Sequence, residues 1–265
     1  MTEAVAISWM ARGLALAAAV AALELLVVRH ALADTGVLAW PVLRKELAGA
    51  PRAIRALADR VLSYRGTLAL LGIQLAAALA LPWTDHAAPA WLVLATTLAI
   101  AIRCRGSYNG GSDAMMIIVA LAVALARTAP GLPLARAGLA YGAAQLVLSY
   151  FVSGVAKLQD RTWRSGRALP ILVRLPHYGV PPGAAALLSR PAIARAAAWL
   201  MLGFECSAPI ALVDPTVCAV WLAIGAGFHV VNAIVFGLDR FLWTWLAAYP
   251  ALLYWVAQLS DRTTS

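Results

Sequence analysis

Three ionisable residues stand inside otherwise apolar runs of this chain: Lys157 in YFVSGVAKLQDRTWRSG, Glu205 in GFECSAP and His229 in FHVVNAIVFGLDRF. Such groups are costly in hydrocarbon, so they face the interior of a helix bundle or a polar cavity. At 100° per residue, Gly142, Gln145, Ser149, Ser153 and Lys157 share an arc of about 120°, which makes Lys157 the end of a polar stripe. Two readings of that stripe stay open on residue types alone. Packing serines, an interhelical amide and a lysine snorkelling to the headgroups would account for it. So would a lysine held partly neutral by burial, able to take a proton where an arginine cannot. Of 21 basic residues 19 are arginine, which tilts the choice away from a site needing only positive charge.

A second stripe, Cys218, Trp221, Gly225, His229, Asn232 and Phe236, spans about 80°. It reads as a polar pocket, or as a helix-helix hydrogen bond made by a buried histidine. Glu205 falls mid-span and needs a mate, for which His229, Lys157 or an arginine would serve. The loop CRGSYNGGSDAMM offers Asn109, Gly110, Gly111 and Asp113 as further pocket candidates. A helix N-cap with a first-turn acid explains Ser112 and Asp113 without function, while the paired glycines let backbone approach a ligand or a helix closely.

The elements that must position these groups follow from composition. The chain has 265 residues, 63% hydrophobic and 12% charged, with a mean hydropathy of +0.80. That excludes an ordinary soluble domain and predicts an all-α, multi-pass membrane protein. A span needs ~20 apolar residues. Apolar segments near 8–29, 66–82, 88–103, 113–127, 137–157, 196–213, 216–236 and 240–258 predict a bundle of about eight helices forming a single domain over 1–265. Residues 31–65 and 160–195 mix arginine with apolar side chains and read as basic interfacial connections on anionic lipid headgroups. The net charge of +9 therefore requires no nucleic acid. Counting Lys and Arg in the loops places both basic regions in the cytoplasm and both termini outside. The run from Gly13 to Val28 resembles a signal peptide, but Glu24 inside it and the basic flank beyond argue for a retained helix. Cys104, Cys206 and Cys218 lack metal-ligand spacing, and no metal is expected.

In order along the chain, the glycine loop with Asp113, YFVSGVAKL with Trp163 and Gly166, the acid before a proline in FECSAP, and FHVVNAIVFGLDRF resemble the HTTM family over roughly residues 100–258. This is the membrane domain shared with vitamin K-dependent gamma-glutamyl carboxylase. The resemblance implies a helical bundle with a pocket for a lipophilic hydroquinone, here menaquinol or a relative. It implies that Lys157 stands where the carboxylase has the base that deprotonates the hydroquinone, and that His229 occupies the place of a conserved histidine. A quinol-dependent carboxylase-like lyase that modifies or matures a peptide is one expectation. The other is a non-catalytic partner that binds quinone, lipid or a peptide precursor during maturation or export. Gly111 stands near the place of a carboxylase histidine, and the carboxylase's large extracytoplasmic domain has no counterpart. The chain is thus more similar to bacterial relatives of the SdpB type, which mature a secreted antimicrobial peptide. The bacterial inner membrane is the implied location, with a peptide substrate or partner membrane protein.

Overall fold

A computed structural model describes residues 1–104 and 110–263. All of the regular structure among them is helical. The contacts divide the chain into two compact units, one comprising Ile7–Gly138 and the other Met1–Ala6 with Leu139–Ser265.

The unit Ile7–Gly138 holds most of α1 (Glu3–Val27), then α2 (Trp40–Leu43), α3 (Arg52–Val61), α4 (Tyr64–Ala80), α5 (Ala88–Cys104) and α6 (Gly110–Thr128). Along α1, Met10, Leu14, Ala17, Ala18, Ala21, Ala22 and Leu25 are buried at helical spacing, whereas Trp9, Leu16 and Leu23 are exposed. On a helix long and apolar enough to cross a membrane, this exposed apolar side is the one that would meet lipid. The buried Gln74 amide of α4 donates to the Ala18 carbonyl at 3.0 Å, which ties α4 to α1. α4 packs on α5 and α5 on α6.

The segment between α1 and α4 is organised by Asp59, which accepts from the Trp40 indole at 2.9 Å and from Arg44 at 2.5 Å. This turns the polar side of α3 toward α2. Ile54 and Leu57, on the opposite side, remain 53% and 63% exposed. α3 is thus a short helix with an exposed apolar side, the feature on which an interfacial placement of 31–65 would rely.

The second unit contains α7 (Pro133–Gln159) from Leu139 onward, α8 (Arg161–Arg164), α9 (Ala168–Leu172), α10 (Pro182–Leu188), α11 (Pro191–Cys206), α12 (Pro215–Phe236) and α13 (Asp239–Thr263). Each boundary has a local cause. Asp160 caps α8 by accepting from the Thr162 amide, and Asp214 caps α12 by accepting from Thr216 and Val217, with Pro215 fixing the first turn. Gly237, at φ +65°, closes α12 in the left-handed conformation. Gly166, at φ +76°, lets the turn after α8 lie directly on the backbone of Arg195 in α11.

Every one of the eight segments expected to be helical is helical. Fewer satisfy the requirements of a span. Glu3–Val27, Tyr64–Trp83, Gly111–Thr128, Pro133–Gln159 and Pro215–Phe236 are long and apolar enough. α10 and the helix from Pro191 to Leu212 form a sixth if counted together, although they bend by 88° at the break. Ala88–Cys104 falls short in length, and α13 dilutes its apolar residues with Asp239, Arg240, Thr244, Gln258 and Asp261. Five or six is therefore the supported number, against the expected eight.

Candidate functional site

Along α7 the buried face runs through Gly142, Ala143, Leu146, Val147, Tyr150 and Gly154, rotated from the predicted stripe toward Tyr150. Gly154 sets how closely α7 meets α11. A Cβ there would lie 2.7 Å from the Cys206 amide nitrogen and 2.9 Å from the Glu205 Cβ. With the two backbones this close, Lys157, one turn on, reaches Glu205. The Lys157 ammonium donates to both carboxylate oxygens, at 2.6 and 2.7 Å. Glu205 is almost wholly enclosed, with 5% of its side chain exposed, whereas Lys157 retains 24%. The Trp163 ring lies 5.6 Å from Nζ, supplying a cation-π contact on the lysine's more open side.

A second polar arrangement lies on the same α7 face. The Tyr150 hydroxyl is 2.6 Å from His229 Nε2 and 3.0 Å from the Tyr249 hydroxyl. The Tyr150 ring stands edge-on to Phe204 and Trp221, which stack on one another. Trp221 is itself fixed by its indole donating to the Ser207 hydroxyl at 3.1 Å. Gly225 makes the room: a Cβ there would come 2.6 Å from the Tyr249 hydroxyl oxygen and 3.1 Å from Phe204. His229 Nδ1 is buried and has no hydrogen-bond partner.

Both arrangements line one cavity of about 210 Å³. Its wall includes Ser149, Ser153, Lys157, Trp163, Glu205, His229 and Asn232, seven of the residues the sequence singled out. Ser149 spends its hydroxyl on the Leu146 carbonyl of its own helix. Gly225 acts from behind Tyr150 and is not on the wall. Gly111 and Asp113 belong to α6 in the other unit, a helix that Gly110 begins, and neither Gly111 nor Asp113 is among the wall residues. Asn109 lies outside the described residues. Among the described residues no three His, Cys, Asp or Glu side chains come together as a metal site would require.

Tyr150, Tyr249 and Trp245 were missed by sequence reasoning. An aromatic residue in an apolar helix fits a lipid-facing belt or a core equally well, so its type carries no signal of direction. The available hint was Tyr150 lying two turns before Lys157, close to its helical face.

Beside this cavity is a larger apolar groove of about 560 Å³ between α10, α11 and α12, bordered by Leu187, Leu200, Ile224 and Val231. Leu169, Met201, Phe228, Asn232 and Phe236 line both spaces. A cavity carrying the ion pair and the histidine therefore adjoins an oily groove, with Asn232 the polar side chain that lines both.

Comparison with known proteins agrees with the resemblance over the site. Residues 139–255 match the family model of the HTTM domain, a stretch that begins at the boundary of the second unit and contains every cavity-lining residue. The glycine loop lies outside it. No curated protein and no solved structure matches the chain.

Proposed function

We propose that this HTTM-domain membrane protein binds a lipophilic hydroquinone, menaquinol or a relative, and uses the Lys157–Glu205 pair to accept its proton in the modification or maturation of a peptide. The observation that carries this reading is the two-point ion pair of Lys157 with the buried Glu205 on the wall of a cavity that also presents His229, Asn232 and the hydroxyls of Ser149, Ser153, Tyr150 and Tyr178. The donor set fits an aromatic ring bearing oxygens. Trp163, Phe228 and Trp245 offer ring faces, Lys157 and Asn232 offer hydrogen bonds, and His229 Nδ1 has none to satisfy within the protein. The adjoining groove has the apolar lining that an isoprenoid tail would take.

When bound, a hydroquinone supplies two weakly acidic ring hydroxyls and two reducing electrons, for which molecular oxygen would be the acceptor. The protein's part is to move the proton. Lys157 takes a proton at Nζ while passing one of its own to a Glu205 oxygen, so neither group need be neutral beforehand and the pair ends with one added proton. Glu205 thereby does what a lone lysine base would need a depressed pKa to do. Lys157→Arg keeps the charge and removes this transfer. In nanodiscs, the wild type should carry co-purifying menaquinone detectable by mass spectrometry of an organic extract, and should consume oxygen when menaquinol is supplied. Oxygen consumption by Lys157→Arg at the wild-type rate would overturn the proton-acceptor role.

One observation favours the second reading, a non-catalytic binding partner in peptide maturation or export. At 2.6 and 2.7 Å, Glu205 alone could account for the lysine as a structural pair. The double variant Lys157→Met, Glu205→Gln then keeps its function, whereas the acceptor reading requires that it lose it. The exposed apolar face of α3, flanked by Arg52, Arg55 and Arg60, supports contact with anionic headgroups under either reading.

A further inference from the structure

The helix α3 is built inside out. At 100° per residue Ile54, Leu57 and Val61 share an arc of about 60°, and Arg52, Arg55, Asp59 and Arg60 share one of about 140° on the opposite side. A helix on the surface of a water-soluble protein turns its apolar arc to the core. Here the polar arc is turned in. Asp59, near the centre of that arc, is tied to the Trp40 indole and the Arg44 guanidinium. Asp59 and Arg55 are half-buried, while Ile54 and Leu57 are exposed. Val37 and Val42, earlier in the same connection, are exposed as well. One exposed aliphatic side chain is ordinary, but an apolar side displayed outward by an aspartate latch calls for a cover.

The level at which that cover lies is set by α4. Only Leu62 and Ser63 separate α3 from Tyr64, where the candidate span Tyr64–Trp83 begins. The Ser63 hydroxyl donates to the Arg60 carbonyl and accepts from the Gly66 amide, both at 3.2 Å. Gly66 lets the first turn of α4 lie on the last carbonyls of α3, since a Cβ there would run into the Arg60 and Val61 oxygens. A helix fixed to the end of a span lies at the interface, where an apolar side meets acyl chains and flanking arginines reach phosphates. The connection carries Arg44, Lys45, Arg52, Arg55 and Arg60 against Glu46 and Asp59, and Asp59 is spent on Arg44. Its charge therefore complements an anionic leaflet.

We propose that α3 is a binding element for anionic phospholipid: Ile54 and Leu57 enter the acyl boundary, the exposed Arg52 and Arg60 hold phosphates, and Asp59 latches the helix in the orientation that presents them. α3 does this whatever ligand the cavity of the second unit holds.

The test uses the full chain with Leu57 replaced by the photo-crosslinking residue benzoylphenylalanine. The protein is placed in nanodiscs of phosphatidylcholine with a minor share of phosphatidylglycerol, both lipids carrying the same acyl chains. After irradiation, intact mass identifies what is attached at position 57. The adduct should be phospholipid, with phosphatidylglycerol about threefold or more above its share of the bilayer, since each arginine near an anionic surface favours it by up to about fivefold. Adding Arg52→Gln and Arg60→Gln should return the adducts to the bulk proportion. Asp59→Leu removes the latch and should lower the adduct yield about threefold or more. Arg44→Ala, an exposed substitution that spares the fold, removes one of the two donors and should lower the yield about twofold. Lipid adducts in the bulk proportion with the arginines present overturn the anionic selection. A doubled mass, meaning a second copy of the chain, or the absence of any lipid adduct overturns phospholipid as the occupant. Unchanged yield in Arg44→Ala together with unchanged yield in a folded Asp59→Leu overturns the latch, and if Asp59→Leu fails to fold, Arg44→Ala decides it.

Discussion

Two arginines of the first unit and one lysine of the second hold their charge against different surroundings. In Ile7–Gly138, Arg103 is fully buried and donates to the Leu32 carbonyl at 3.0 Å, beside the Trp40 ring. Arg127 directs two guanidinium nitrogens to the Leu81 carbonyl, at 3.1 and 3.2 Å. Both arginines end a helix and stitch main chain to main chain, as the Gln74 amide does at Ala18. In the second unit Arg240 is buried as well, but the cation that meets a cavity is the half-buried Lys157, whose partner is a side-chain carboxylate 48 residues away that lines the same cavity. A guanidinium satisfying a carbonyl neither accepts a proton nor faces a space. The ammonium of Lys157 has a carboxylate beside it to which a proton could pass, and it faces a space. Position relative to empty volume, more than charge, distinguishes these cations.

The sharpest way to break that contrast is to remove one partner from each site. Lys157→Met leaves a buried carboxylate uncompensated and should cost about 3–5 kcal/mol, read as a lower melting temperature in detergent together with loss of co-purifying quinone. Adding Glu205→Gln should restore most of the stability without the quinone-dependent activity. Stability that is unchanged in the single variant would show that the pair is solvated rather than buried. Arg127→Met should cost less, about 1–3 kcal/mol, by depriving the Leu81 carbonyl of its donors. Its menaquinone affinity, measured by tryptophan quenching, should match wild type, and a shift there would erase the distinction between the units.

Gly154→Ala probes the spacing that creates the pair. Its Cβ would press on Cys206 and Glu205, so α7 and α11 must part, at a cost of about 1–3 kcal/mol and with a weaker Lys157–Glu205 contact. Gly203, on α11 with open space around it, is the control that should accept alanine without loss. Smallest of all is Asp214→Ala, which removes the cap of α12 and should lower stability by about 1 kcal/mol with no change in quinone retention. Any effect of that substitution on ligand binding would mean that the α12 terminus takes part in the site.

Much of the candidate site was legible because polarity inside an apolar helix is conspicuous. Lys157, Glu205, His229, Asn232, Ser149 and Ser153 all drew notice for that reason, and all line the cavity. Tyr150 did not, although it is the residue that joins the histidine to the rest. A tyrosine's ring is at home in lipid, in a core or at an interface, and only its hydroxyl partners reveal which it is. Gly154 was equally silent, since its use depends on a helix some fifty residues further on. The number of spans was overestimated because local hydropathy finds apolar segments but does not see that α11 is bent against α10 or that Ala88–Cys104 is short.

From sequence alone came the all-helical membrane character, the helical segments and the residues costly enough in lipid to need a purpose, because these depend on composition and on a periodicity of 3.6 that any helix obeys. The resemblance to the HTTM domain was likewise readable there, over roughly residues 100–258, of which the family model matches 139–255. Tertiary structure alone decided that the mate of Glu205 is Lys157 and not His229 or an arginine, that His229 meets a tyrosine pair, and that both arrangements reach one cavity beside an apolar groove. Those facts depend on how closely and at what rotation two helices meet, which a glycine permits at one point but which no local stretch of sequence encodes.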